Sequence, residues 1–286
     1  MSGKQSLGVI AAAALLLGLT LPALADTIDK IKADQTIRIA YREDAPPFSY
    51  KDANAAEPAG YIVEMCRAVA AKLKDDLGVP SLKVAYVPVT AANRFDAIAK
   101  GEADLLCEAT TETLARREKV DFSIPTFVDG AGLLSRDPKL GKISGLTGRK
   151  IGVLTGTTTE DELRRQLQKA GIPAEIIPAK THAEGLAMID SGKTSAYFAD
   201  RSILMFMVKD AKDPGKLFIA DNYLTVEPYA LALPHGDDKF RLAVDTALSH
   251  IYRGGDVPAI FDKAFAGKAK LAGMAQVLYF IAALPD

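Results

Sequence analysis

The sequence predicts an α/β fold of two lobes, on three observations. Segments of strand and helix character alternate β-α-β-α-β over roughly the first hundred residues after an apolar leader. From residue 148 the alternation starts afresh. Two extended segments, FSIPTFVDGAGLLSR (122–136) and YLTVEPYALALPHGDDKF (223–240), separate and follow these runs, like a pair of crossing strands that join two lobes.

The elements follow in order. TIRIAYR (36–42) alternates as a strand. After Gly60, YIVEMCRAVAAKL places Ile62, Met65, Cys66, Val69, Ala70 and Leu73 at steps of three and four, the spacing of an amphipathic helix. LKVAYVPV (82–89) returns to strand, NRFDAIAKG (93–101) is a short helix closed by glycine, and ADLLC (103–107) is a strand. In the second run GRKIGVL (148–154) is a strand, and TTTEDELRRQLQKAG (157–171) a helix with hydroxyl caps, acids in its first turn and a terminal glycine. AEIIPA (174–179), HAEGLAMIDSG (182–192) and SAYFA (195–199) read strand, helix, strand. DAIAKGEADLLC (96–107) and AMIDSGKTSAYFA (187–199) echo each other as helix, glycine, polar residues and strand, one plan used twice. Residues 241–267 form two helices broken at Gly254-Gly255, and the apolar tail LAGMAQVLYFIAALPD is expected to dock rather than span a membrane.

Lys4, the run LGVIAAAALLLGLTLPALA and the small-x-small Ala23-Leu24-Ala25 predict a cleaved secretory signal peptide over residues 1–25. No cysteine follows that cut, so a soluble exported protein is expected, in a bacterial periplasm. A net charge of −1 with no long run of one sign leaves no basic field for nucleic acid. The two cysteines, Cys66 and Cys107, lack CxxC or Cys/His clustering. Oxidising conditions outside the cytoplasm favour a disulfide between them over two buried free thiols.

In open α/β sheets ligands sit beyond the carboxyl ends of parallel strands. ADLLC runs towards Thr111 and Arg116, KIGVL towards Gly156, Thr157 and Thr158 at a helix start, and SAYFA into Asp200. A guanidinium, hydroxyls and a helix N-terminus suit a carboxylate, and an acid suits an ammonium. That is the polarity of an α-amino acid. Taken singly, each feature has an ordinary reading: threonines cap helices, acids follow strands, and arginines face solvent.

With AYREDAPPFSY, GYIVEMCRAVA, ATTETLARREKVDFS, LTGRKIGVLTGTTTE and SAYFAD in this order, the chain resembles the periplasmic solute-binding proteins of family 3, the polar amino-acid receptors of ABC importers. The resemblance implies a type II periplasmic binding protein fold, two lobes closing by a hinge over a ligand, with domains at 26–131, 132–228 and 229–286. It implies that Arg116 holds the ligand α-carboxylate, Thr111 and Thr158 support it, and Asp200 receives the α-ammonium. Within the family the chain is most similar to glutamate/aspartate receptors, which implies that Arg42, Arg94 and His182 surround a side-chain carboxylate. It further implies a permease partner, no cofactor, no metal and a monomer.

Glu108 and Ala109 depart from the pattern, standing where a small residue and a hydroxyl are usual. If Glu108 faces the cleft, it offsets Arg94 or Arg42 and shifts the preference towards neutral or cationic amino acids. If it points away, the acidic ligand stands. No GxSxG, HExxH, Walker A or Ser–His–Asp pattern supports an enzyme. Glu108 is the one acid that an enzymatic alternative, dehydration of a small carboxylate, would use. A third reading is the soluble part of a sensor.

Overall fold

The computed structural model describes residues 26–265, 270–271 and 273–286; the expected signal peptide lies outside them. The chain opens with α1 (Thr27–Asp34), β1 (Thr36–Arg42) and a small hairpin of β2 (Asp44–Ala45) and β3 (Ser49–Tyr50). Then come α2 (Tyr61–Asp76), β4 (Lys83–Val89), α3 (Arg94–Ala99), β5 (Leu105–Leu106) and α4 (Leu114–Arg117). β6 (Val120–Asp129) and β7 (Ala131–Ser135) follow, then β8 (Lys150–Leu154), α5 (Thr158–Ala170), β9 (Glu175–Ala179) and α6 (His182–Asp190). β10 (Ala196–Asp200), α7 (Arg201–Asp210) and β11 (Phe218–Ile219) precede β12 (Glu227–Pro234), α8 (Asp238–Gly254), α9 (Val257–Phe265) and α10 (Gly273–Ala282).

These strands build two five-stranded sheets, in the orders β4-β1-β5-β12-β6 and β11-β7-β10-β8-β9. The expected parallel character is present in β4-β1-β5 and in β9-β8-β10. The connecting segments supply the antiparallel strands: β12 pairs with β5 and β6, and β7 pairs with β10. The chain passes between the sheets at Gly130 and again at Thr225–Val226. There the two segments nearly touch. A Cβ on Gly130 would lie 2.0 Å from the carbonyl oxygen of Thr225, so no larger residue fits.

In α2 the residues spaced at three and four, Ile62, Met65, Cys66, Val69, Ala70 and Leu73, are all buried. Each large apolar side chain so buried contributes roughly 1.5–3 kcal/mol relative to exposure. Cys66 and Cys107 form a disulfide that ties α2 to the residue just beyond β5, with Cα atoms 6.2 Å apart. The second sheet packs its own core from Leu133, Ile151, Val153, Leu163, Leu167 and Phe198. The tail docks as α10: Tyr279 is buried, its hydroxyl 2.6 Å from that of Tyr61 and donating to the Thr126 carbonyl at 3.0 Å. No described helix is long and apolar enough to cross a membrane.

Candidate functional site

Parallel strand ends β5, β8 and β10 deliver the site, each through its own local chemistry. After β5 the chain turns through residues 107–113 into the single turn α4, whose N-cap Thr113 accepts the Arg116 backbone N–H at 3.2 Å. Nη1 of Arg116 donates to the Thr111 carbonyl at 2.7 Å, which aims the guanidinium back at the strand end. Arg117, its neighbour, is exposed and pairs with Glu112.

After β8, Thr157 caps α5, accepting the Glu160 N–H at 3.2 Å, while Oε2 of Glu160 accepts the Gly156 N–H at 3.0 Å. This reciprocal box orients the first turn of α5 towards the cleft. After β10, Asp200 stands at the N-cap position of α7 but makes no capping bond. Asp129 of β6 does that work, accepting the Ser202 N–H at 3.1 Å. The carboxylate of Asp200 is thereby left for other partners; the Thr159 hydroxyl is 3.5 Å away, and the buried Tyr229 hydroxyl faces it as well.

All eight residues singled out from sequence, Arg42, Arg94, Thr111, Arg116, Thr157, Thr158, His182 and Asp200, line one cavity. Ala109, Leu154, Thr159, Phe198, Ala199 and Ile203 complete its wall. Its volume of about 20 Å³ is on the scale of a single water, because the lobes meet around it. Arg94 donates across to the Gly156 carbonyl at 3.3 Å, and the His182 N–H donates across to Asp44 at 3.2 Å. An amino acid can enter only when these contacts part.

The electrostatics differ from group to group. Nε and Nη2 of Arg42 both donate to one oxygen of Asp44, at 2.9 and 2.5 Å. Burial and the Arg42 charge push His182 down to about 3, so its imidazole is neutral, with Nδ1 3.1 Å from the Tyr197 hydroxyl. A neutral histidine offers a ligand carboxylate a hydrogen bond but no charge. Desolvation lowers the pKa of Arg94 to about 10, leaving it charged at neutral pH, and lowers that of Arg116 as well. The two guanidiniums share one ring, lying 5.0 and 5.1 Å from the centroid of Phe95. Desolvation at the cavity wall, with Glu227 and Asp129 nearby, pushes Asp200 up to about 8.

Several features correct or extend the sequence reading. Glu108 has no face on the cavity; it is buried behind Arg94, its Oε1 3.5 Å from Nε, and accepts from the Thr110 hydroxyl. The acid that an enzymatic reading would need therefore does not line the cavity. Thr111 and Thr158 each donate their single hydroxyl proton to Glu227, which sequence reasoning did not single out. An acid in the otherwise apolar TVEPYALAL was the available signal. The roles of Asp44, Asp129 and Tyr197 were equally missed, since each acts through a partner on another element.

The profile of the family described as bacterial extracellular solute-binding proteins, family 3, matches residues 37–267. An L-glutamate/L-aspartate-binding protein of Pseudomonas aeruginosa is 32% identical over 252 residues, covering 86% of this chain and 83% of that one. A glutamate/aspartate import solute-binding protein of Escherichia coli is 31% identical over 247 residues, covering 85% and 81%. Among solved structures, the ancestral amino acid-binding protein AncCDT-1, a precursor of cyclohexadienyl dehydratase, superposes with a TM-score of 0.73 at 27% identity, over 84% of this chain and 100% of that one.

Proposed function

The chain belongs to the bacterial extracellular solute-binding proteins, family 3, and on that premise we propose that it captures a polar α-amino acid, glutamate or aspartate first, and delivers it to the permease of an ABC importer. The observation that carries this reading is the convergence of Arg42, Arg94, Arg116 and Asp200 on one cavity between two lobes. In this reading Arg116 and the first turn of α5 take the α-carboxylate. Thr157 shapes that turn, and Glu227 holds Thr111 and Thr158 in place beside it. Asp200 takes the ammonium, and Arg42, Arg94 and neutral His182 hydrogen-bond the side chain. Binding energy comes from charge-assisted hydrogen bonds made as the closing lobes exclude water. The printed names of the P. aeruginosa and E. coli relatives support the ligand class.

Residues 1–25 are then a cleaved signal peptide, residues 26–131 and 229–286 form one lobe and 132–228 the other. The mature chain works in the periplasm as a monomer without cofactor or metal. A thermal-shift screen of the common L-amino acids tests the reading. A ligand at about 100 times its Kd adds about 2.7 kcal/mol, a rise of roughly 5–11 °C for a chain of this size. Absence of any shift with polar amino acids would count against it.

A further inference from the structure

Glu108 is the group that the function proposed above leaves idle. It is 0% exposed and pairs with Arg94, 2% exposed, and its charge is also felt by Arg116. The pair is poorly built as a hydrogen bond. The closest approach is 3.5 Å, and both Nε of Arg94 and Oε2 of Glu108 lack a hydrogen-bond partner among the described residues. Buried ion pairs of this kind commonly contribute less stability than apolar residues of the same volume. Glu108 points away from the cavity, the orientation expected to leave an acidic ligand undisturbed, yet it places a carboxylate directly behind an arginine of the cavity wall and so acts on the ligand through that arginine.

The charges at the side-chain end of the cavity can be counted. Arg42 is matched by Asp44 at 2.5 Å and Arg94 by Glu108 at 3.5 Å. His182, held between the Tyr197 hydroxyl and the Asp44 carboxylate, is neutral. Two cations therefore face two anions, and the arginine N–H groups not given to Asp44 and Gly156 act at nearly zero net charge. A carboxamide oxygen accepts such donors as a carboxylate oxygen does, while the carboxamide NH2 needs an acceptor instead; net charge is the further difference between the two ligands.

We propose that Glu108, acting through Arg94, is a specificity-determining residue that balances the side-chain subsite, so that the protein holds glutamine and asparagine nearly as well as glutamate and aspartate. This rests on the amino-acid reading above and narrows it. Ala109, on the cavity wall where a hydroxyl was expected, adds no donor of its own that would favour the acid.

Titration calorimetry of the mature chain with L-glutamate, L-glutamine, L-aspartate and L-asparagine tests the proposal. In the unaltered protein, acid and amide bind within about tenfold of each other. Glu108→Gln keeps the shape and deletes the charge, and raises the preference for acid over amide by roughly tenfold or more, the effect of one unit charge at intermediate dielectric. The double variant Arg94→Gln, Glu108→Gln deletes both charges and returns the ratio towards balance at lower affinity for all four. An unaltered protein that prefers the acid by more than about a hundredfold overturns the proposal, whether or not the variants fold. So does a Glu108→Gln protein that binds both classes with an unchanged ratio. Binding of none of the four, with capture of some other solute, refutes the amino-acid reading itself and is distinguishable from either result.

Discussion

If Asp200 receives the ligand ammonium, binding must release a proton. Asp200 is pushed up to about 8 by desolvation and by Glu227 and Asp129. At pH 7 it is then roughly one-tenth ionised, and about 0.9 proton leaves when an ammonium docks against it. The cost of that ionisation is on the order of 1 kcal/mol at pH 7, so affinity rises as pH is raised from 7 towards 9. At pH 8 the released fraction falls to about half. Calorimetry at pH 7 in two buffers of different ionisation enthalpy, phosphate and Tris, reads the proton directly. Asp200→Asn abolishes both the buffer dependence and most of the affinity. Stability without ligand runs the other way. The folded carboxyl titrates above its ordinary value of 3.8, so the folded state binds more protons between about pH 4 and 8 and loses stability as pH rises through that window. Unchanged affinity in Asp200→Asn, together with buffer-independent binding heats at pH 7, would refute the assignment of Asp200 to the ammonium.

Arg116→Ala removes the guanidinium assigned to the α-carboxylate and is expected to weaken every α-amino acid by about 2–5 kcal/mol, at least thirtyfold, in the same calorimetric assay; retained affinity would take Arg116 out of that role. Replacing Cys66 and Cys107 by alanine opens a link across 41 residues and is expected to cost about 4 kcal/mol in equilibrium urea unfolding under non-reducing conditions. An unchanged midpoint would show that the crosslink constrains nothing. Gly185→Ala places a Cβ 2.1 Å from the ring of Tyr197, the residue whose hydroxyl meets His182. Overpacking of this kind costs about 1–3 kcal/mol, and urea unfolding together with a fall in ligand affinity would register the displaced tyrosine.

Much of this was legible because α/β folds repeat one local plan. The period of α2, the strand TIRIAYR and the capped start of α5 each announce themselves within about a dozen residues, and strand ends then place Thr111, Arg116, Thr158 and Asp200 together. What stayed hidden depends on long-range partners. The acid after β10 reads locally as a helix cap, yet Asp129, 73 residues before Ser202, takes that position. Glu227 sits 69 residues from Thr158, and only the crossing of the connecting strands brings them together. The orientation of Glu108 could not be decided from the chain, because its neighbours Cys107, Ala109 and Thr110 permit either face. α7 went unread beyond SAYFA although Ile203, Leu204 and Met207 carry a helical spacing, and α1 and the β2–β3 hairpin are too short to show a period.

The order of strands in the first sheet has a consequence for how the molecule comes into being. β12 lies between β5 and β6, yet it is made about a hundred residues after β6. The whole second sheet, residues 131–219, is synthesised in that interval and has every partner it needs. Until residues 227–234 arrive, β5 and β6 present unpaired edges, and Thr126 and Tyr61 wait longer still for Tyr279. Exposed edges are where chains stick to one another. The lobe that begins first is thus the last to finish, and a chain cut short near its end leaves a complete second lobe beside an open seam.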